Sequence, residues 1–234
     1  MDRHPLSGLL ARDRRRPEAA VSDPGSGRSM SYHDFITTAY KAGNALRYLG
    51  VSRGALVAID PDSPIDALLA FFGAAQLGAT VRFVDLAGPD AFDTATFRVV
   101  LCPVEAEQSI DPEPGCRLVV YGGPPASAST AHWEEIVWSE NPAFPDPESD
   151  PDTPILVDGD RRIDQGTLRA AARSTASTLP IDDESSVGIP GSLDDPRVLV
   201  GVLAALEVGG EAIIDPGAND ASVDVVCPIE AIDL

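Results

Sequence analysis

Two stretches decide the fold: Ala70-Phe71-Phe72-Gly73-Ala74-Ala75-Gln76-Leu77-Gly78-Ala79 and Val200-Gly201-Val202-Leu203-Ala204-Ala205-Leu206-Glu207-Val208-Gly209-Gly210. Each is apolar almost all round and closed by glycine, the pattern of a helix buried in a globular core. Each is too short to span a bilayer. Working outward, the same kinds of segment flank both in the same order. Ahead of the first stand Met30-Ser31-Tyr32-His33-Asp34-Phe35, a helical spacing of Phe35, Ala39, Ala42, Leu46 and Leu49 stopped by Gly50, and the apolar Val57-Ala58-Ile59. Ahead of the second stand Arg162-Ile163-Asp164-Gln165-Gly166-Thr167-Leu168, a helical pattern ending at Leu179, and Val187 to Ile189. Behind them lie Val81 to Val84 and Ala212 to Ile214. The units close with Val99-Val100-Leu101-Cys102-Pro103-Val104-Glu105-Ala106 and Val225-Val226-Cys227-Pro228-Ile229-Glu230-Ala231. Three matched blocks in one order indicate an internal repeat.

Each unit reads as helix, strand, helix, strand, strand. Ser63 is expected to cap the first buried helix, with Pro64 opening it and Asp66 completing a capping-box pattern; Asp195 and Pro196 do the same for the second. Short apolar strands alternating with helices predict an α/β fold of two tandem, pseudo-equivalent βα subdomains, their mainly parallel sheets covered by helices. Residues 141–153, rich in proline and acid, read as an extended linker between a first subdomain, 1–140, and a shorter second one, 154–234.

The formal net charge is -20, from 37 acidic and 17 basic residues, and Lys41 is the only lysine. So acidic a surface repels phosphate backbones, which argues against nucleic-acid binding. The basic run Arg12-Asp13-Arg14-Arg15-Arg16 reads as a solvated helix end. Many carboxylates with almost no lysine suggest a halophilic protein. No apolar leader is seen, so a soluble cytoplasmic protein without membrane contact is expected. The cysteines Cys102, Cys116 and Cys227 have no CxxC spacing, and His4, His33 and His132 lie far apart, so neither a disulfide framework nor a metal site is indicated. Cys102 and Cys227 hold equivalent positions in the two units, which points to core packing. His132, beside Trp133, reads as a surface helix residue.

The first unit resembles the opening of AMP-forming acyl-CoA synthetases and related adenylate-forming enzymes. The likeness rests on Ala20 to Tyr32 as an opening hairpin, Ala42-Gly43-Asn44-Ala45-Leu46-Arg47-Tyr48-Leu49-Gly50-Val51 with Gly54 to Ile59, and Asp62-Ser63-Pro64 followed by Ala70 to Ala74 and Leu77-Gly78-Ala79. The second unit is similar to the family's next subdomain. The resemblance implies ATP/AMP, Mg and CoA as ligands where the activity is retained. It also implies a phosphate-wrapping loop of the form T-S-G-T-T-G-x-P-K-G after the strand Pro154 to Val157. There the chain instead has Asp158-Gly159-Asp160-Arg161-Arg162-Ile163, which reads as a tight turn between strands. The family's acidic metal-binding motif, ribose-binding aspartate and catalytic lysine have no counterpart in these residues.

No catalytic residue and no metal ligand stand out. The nucleotide-binding candidates are Gly159, Arg161 and Arg162 at that turn, and Gly122 and Gly123 in the turn Tyr121-Gly122-Gly123-Pro124-Pro125 after the strand Leu118 to Val120. Two functions are consistent with this pattern. One is a degenerate, non-catalytic synthetase-like module (a pseudoenzyme) that binds or regulates a protein partner, a full-length synthetase or an acyl carrier. The other is an adenylate-forming acyl-CoA ligase fragment, active with a partner chain. Salt screens self-repulsion, the Debye length falling to roughly 3 Å at 1 M. The thermal unfolding midpoint is therefore expected to rise as KCl is raised from dilute buffer to molar concentrations, and a scanning melt series checks it.

Overall fold

The computed structural model describes residues 3–86, 93–143, 147–148, 150–217 and 220–234; part of the expected linker, 144–146 and 149, lies outside them. In chain order the elements are β1 (Ala19–Asp23), β2 (Arg28–Ser31), α1 (Tyr32–Tyr48), β3 (Leu56–Ile59), α2 (Pro64–Leu77), β4 (Thr80–Phe83), β5 (Val99–Pro103), β6 (Arg117–Tyr121), β7 (Ala131–His132), α3 (Trp133–Ser139), β8 (Pro154–Asp158), β9 (Arg161–Asp164), α4 (Gln165–Thr178), β10 (Ser186–Ile189), α5 (Pro196–Val208), β11 (Glu211–Ile214) and β12 (Val225–Val226). The fold is α/β, with two sheets that are mostly parallel and flanked by helices.

The two compact units are interleaved along the chain, where the sequence reading set consecutive subdomains on either side of 141–153. One comprises Met1–Thr37, Ser149–Thr153 and Ile163–Leu234; the other comprises Thr38–Glu148 and Pro154–Arg162. The reason is strand pairing. In the first unit the five-stranded sheet runs β12-β10-β11-β1-β2, and β1 lies parallel to β11 with Val21 opposite Ala212. In the second the seven-stranded sheet runs β7-β6-β5-β3-β4-β8-β9, and β8 lies parallel to β4 with Leu156 opposite Val81. The orders β12-β10-β11-β1-β2 and β5-β3-β4-β8-β9 correspond strand for strand. In each sheet the terminal hairpin is the one that precedes the other half's first helix in sequence.

Both buried helices form as their sequences dictate. Every residue of α2 from Ile65 to Gln76 is buried, and α2 meets β3 and β4. It ends at Gly78, whose φ of 66° is the left-handed value that only glycine adopts cheaply. In its own unit α5 meets β10, β11 and α4, and ends at Gly209 with φ 94°. Asp195 caps α5, its carboxylate accepting the Arg197 N–H at 2.9 Å. Ser63 does not cap α2 in this way; its hydroxyl donates to the Asp66 carboxylate at 2.6 Å. Asp164 caps α4 by accepting the Thr167 N–H at 2.7 Å.

The arginine run is not a solvated helix end. Arg14 donates to the Leu206 carbonyl and Arg16 to the Gly209 carbonyl, so both fasten the C-terminal turn of α5, where the helix dipole favours a cation. Arg16 also lies over the Tyr32 ring, 4.2 Å from its centroid. Tyr32 in turn donates its hydroxyl to the Gly210 carbonyl at 2.7 Å, and burial pushes its pKa up to about 12. The expected linker is likewise held down along its described residues. Asn44 Nδ2 donates to the carbonyls of Asn141 and Ala143, and Glu148 donates its N–H to the Gln76 carbonyl. Pro151 accepts the Gly166 N–H at 2.7 Å.

Within the second unit, α2 crosses α1 at close range. A Cβ on Gly73 would stand 2.9 Å from the Ala42 carbonyl carbon and the Gly43 nitrogen. Backbone cannot give way as a side chain can, so the Gly73→Ala variant is expected to lose about 1–3 kcal/mol of stability, read as a lower denaturant midpoint.

Candidate functional site

In parallel α/β sheets, ligands collect where the strands end at their carboxyl edges. In the seven-stranded sheet that edge carries Asp60 after β3, Asp85 after β4, Gly122 and Gly123 after β6, and the turn after β8. Asp60 is its hub. It is 1% exposed, and its carboxylate accepts the N–H groups of Asp62 at 3.0 Å and Leu86 at 2.9 Å and the Tyr121 hydroxyl at 3.1 Å. One buried charge thus ties the exits of β3, β4 and β6. Burial, with the neighbouring Asp60, drives the Tyr121 hydroxyl far up, so it stays protonated and donates. Burial, then the carboxylates of Asp60 and Asp85, raise Asp62 above its ordinary value. The local potential is negative.

Beside the hub, two further carboxylates hold the glycine turn and the segment that leaves it. Glu134 accepts the Gly122 N–H at 2.7 Å. Glu107, 6% exposed, accepts the N–H groups of Ala126 at 2.7 Å and Ser127 at 3.0 Å. Those backbone donors, the feature from which a phosphate cradle is made, are already engaged by the protein's own acids.

Gly159 and Asp160 form a two-residue turn between β8 and β9, which makes the pair a hairpin. Gly159 has φ 57° at the first central position, the type II′ signature. Arg161 and Arg162 follow on β9, exposed. Four strand spacings separate β6 from β8, about 19 Å at 4.8 Å each. The structure therefore does not bring Gly122 and Gly123 together with Gly159, Arg161 and Arg162. At the turn itself only Gly159 and Asp160 join the strands, between Asp158 and Arg161, so the turn offers fewer backbone N–H groups than the several convergent donors of a triphosphate cradle.

His132 departs from the surface-helix reading, and Cys102 and Cys227 are seated as core residues. His132 is the last residue of β7 and the N-cap of α3, partly buried, and lies 3.2 Å from Glu134 and 3.8 Å from Glu135. Cys102 and Cys227 are buried, and burial pushes their thiols up to about 12 and about 11, so neither is a ready nucleophile. Among the described residues no cluster of three or more His, Cys, Asp or Glu side chains is arranged to hold a metal ion. The roles of Asp60, Glu107 and Tyr121 are not visible in sequence; the only signal is an acid directly after an apolar strand.

The family profile for AMP-binding enzymes matches residues 10–158, more than half of the chain. The chain belongs to the AMP-binding enzyme family. Its fold is that of the family's N-terminal region, as solved structures indicate. The anthranilate CoA ligase AuaEII, in complex with anthranoyl-AMP, superposes with a TM-score of 0.77 at 19% identity, over 92% of this chain and 46% of that one. The N-terminal domain of FACL13 from Mycobacterium tuberculosis gives 0.74 at 20%, over 94% and 58%. A benzoate CoA ligase from Burkholderia xenovorans LB400 gives 0.69 at 19%, over 90% and 45%. The chain thus spans about half the length of these proteins. Among curated proteins none matches. No described helix is long and apolar enough to cross a membrane.

The carboxylate of Glu107 lies below the ordinary glutamate value because Ala126 and Ser127 donate to its charged form. Stability from that group is complete above the ordinary value of 4.5 and is lost as pH falls through the lower folded value. Melts between about pH 6 and pH 3 should therefore show the wild type losing stability more steeply than Glu107→Gln.

Proposed function

We propose that this AMP-binding family member is a synthetase-like scaffold that does not adenylate, and that it works as a binding or regulatory module. The observation that carries the reading is the hairpin turn Asp158-Gly159-Asp160. It joins β8 to β9 where the family resemblance calls for a longer loop rich in Ser, Thr and Gly and ending in lysine. A phosphate cradle works by close backbone approach and positive potential. A two-residue turn supplies few N–H donors, Asp158 and Asp160 offset the charge of Arg161 and Arg162 beside it, and the rest of the strand edge adds Asp60, Asp62 and Asp85. The partner expected for such a module is a protein, a full-length synthetase or an acyl carrier. The similarity of the two sheet orders supports descent of both halves from one βα unit. The charge of -20 with a single lysine supports work in a salty cytoplasm.

A second reading is an adenylate-forming ligase whose missing groups arrive on a partner chain. It draws support from likeness to an anthranilate CoA ligase seen with its acyl-adenylate. Calorimetric titration with ATP and Mg in molar KCl separates the two. The scaffold reading expects no saturable heat at millimolar ATP and no ATP–pyrophosphate exchange with any acid, either alone or with neighbouring gene products. Micromolar binding or acid-dependent exchange would establish the second reading instead.

A further inference from the structure

At the opposite edge of the seven-stranded sheet, where β5 and β6 begin, the second unit carries a cavity of about 430 Å³. Its wall includes Tyr48, Arg98, Arg117, Leu118, Ser129 and Thr130, and none of the described residues lining it is acidic. In a chain with 37 carboxylates against 17 cations, two arginines gathered around a hollow free of acid are a marked departure from the average surface.

The two arginines have different work. Arg98 is a fixture. Its Nε donates to the Gly50 carbonyl at 3.1 Å and its Nη1 to the Gly115 carbonyl at 3.1 Å. It lies across Gly50, whose φ of 89° and lack of a side chain make room for it. It thereby satisfies a carbonyl beyond the C-terminus of α1 and holds the cavity wall. Arg117, on the first residue of β6, is exposed, and among the described residues its guanidinium has no hydrogen bond or ion pair. In a protein so rich in acid, an arginine without a carboxylate partner is a donor fork available for something else. Close by, the Ser129 hydroxyl among the described residues meets only that of Ser127, at 2.8 Å, and can still offer a hydrogen bond. Tyr48 stands at the rim with 79% of its surface exposed, a flat apolar ring unsupported by packing.

A planar fork, a hydroxyl and an aromatic rim around a volume of this size suit a small organic molecule that carries an oxyanion on an aromatic or similarly flat body. We propose that this cavity is a binding site for such an anion, a phosphate monoester or a carboxylate, with Arg117 pairing its oxygens and Tyr48 covering its body. The site lies at the edge of the sheet away from the β8–β9 turn, so it does not rest on the reading of that turn.

The test is calorimetric titration of the full chain with phenyl phosphate, benzoate, inorganic phosphate and phenol, for the wild type, Arg117→Gln and Tyr48→Ala. Both substituted residues are exposed, and matching melting curves show that the variants stay folded. The wild type should bind phenyl phosphate or benzoate saturably, and whichever is tighter shows which oxyanion the site prefers. Arg117→Gln should weaken that binding about tenfold or more, as loss of a charge-assisted pair implies. Tyr48→Ala should weaken the aromatic anions and leave inorganic phosphate unchanged. No saturable binding of either aromatic anion, binding indifferent to Arg117→Gln, or phenol binding as well as its charged counterparts would overturn the proposal.

Discussion

Two parallel strand pairings hold the architecture together: β1 on β11 and β8 on β4. Each joins segments far apart in sequence, and each delivers a hairpin to the edge of a sheet that would otherwise stop at an unpaired strand. The remaining strand pairings join segments closer in sequence. The buried helices α2 and α5 cover their sheets, and α4 covers α5. The arginines at the end of the N-terminal segment reach the last carbonyls of α5 because β1 has been fixed beside β11.

Much of this was legible in the sequence because it is local. Gly78 and Gly209 end helices at left-handed backbone positions, Asp195 caps one of them, and the apolar runs of β3, β5 and β10 are strands. The hairpin exchange was not legible. Nothing in Ala19 to Ser31 or in Pro154 to Asp164 says which sheet each will join; that choice is made by pairing over long separations. Proline and acid in 141–153 suggested an extended linker, and composition is blind to the carbonyls that Asn44 and Gly166 grip there. Arg14 and Arg16 looked solvated for the same reason, since their partners are backbone oxygens, which leave no trace in sequence.

The candidate site divides along the same line. The turn at Asp158-Gly159-Asp160 could be read directly, because glycine at the first central position of a two-residue hairpin is a short-range rule. The Asp60 hub could not, because its donors come from three separate strand exits. At that hub a carboxylate accepts donors at the strand edge where parallel α/β sheets collect ligands. The family's fold persists here with Asp60, Glu107 and Glu134 accepting backbone N–H groups at that edge.

The most direct measurement of that claim is the response of individual backbone amides to ATP and Mg, followed by two-dimensional nitrogen-15 NMR of the full chain in high salt. The account predicts that the Gly159, Asp160 and Gly122 amide resonances stay in place across the titration. Saturable shifts centred on Gly159 and Asp160 would contradict it.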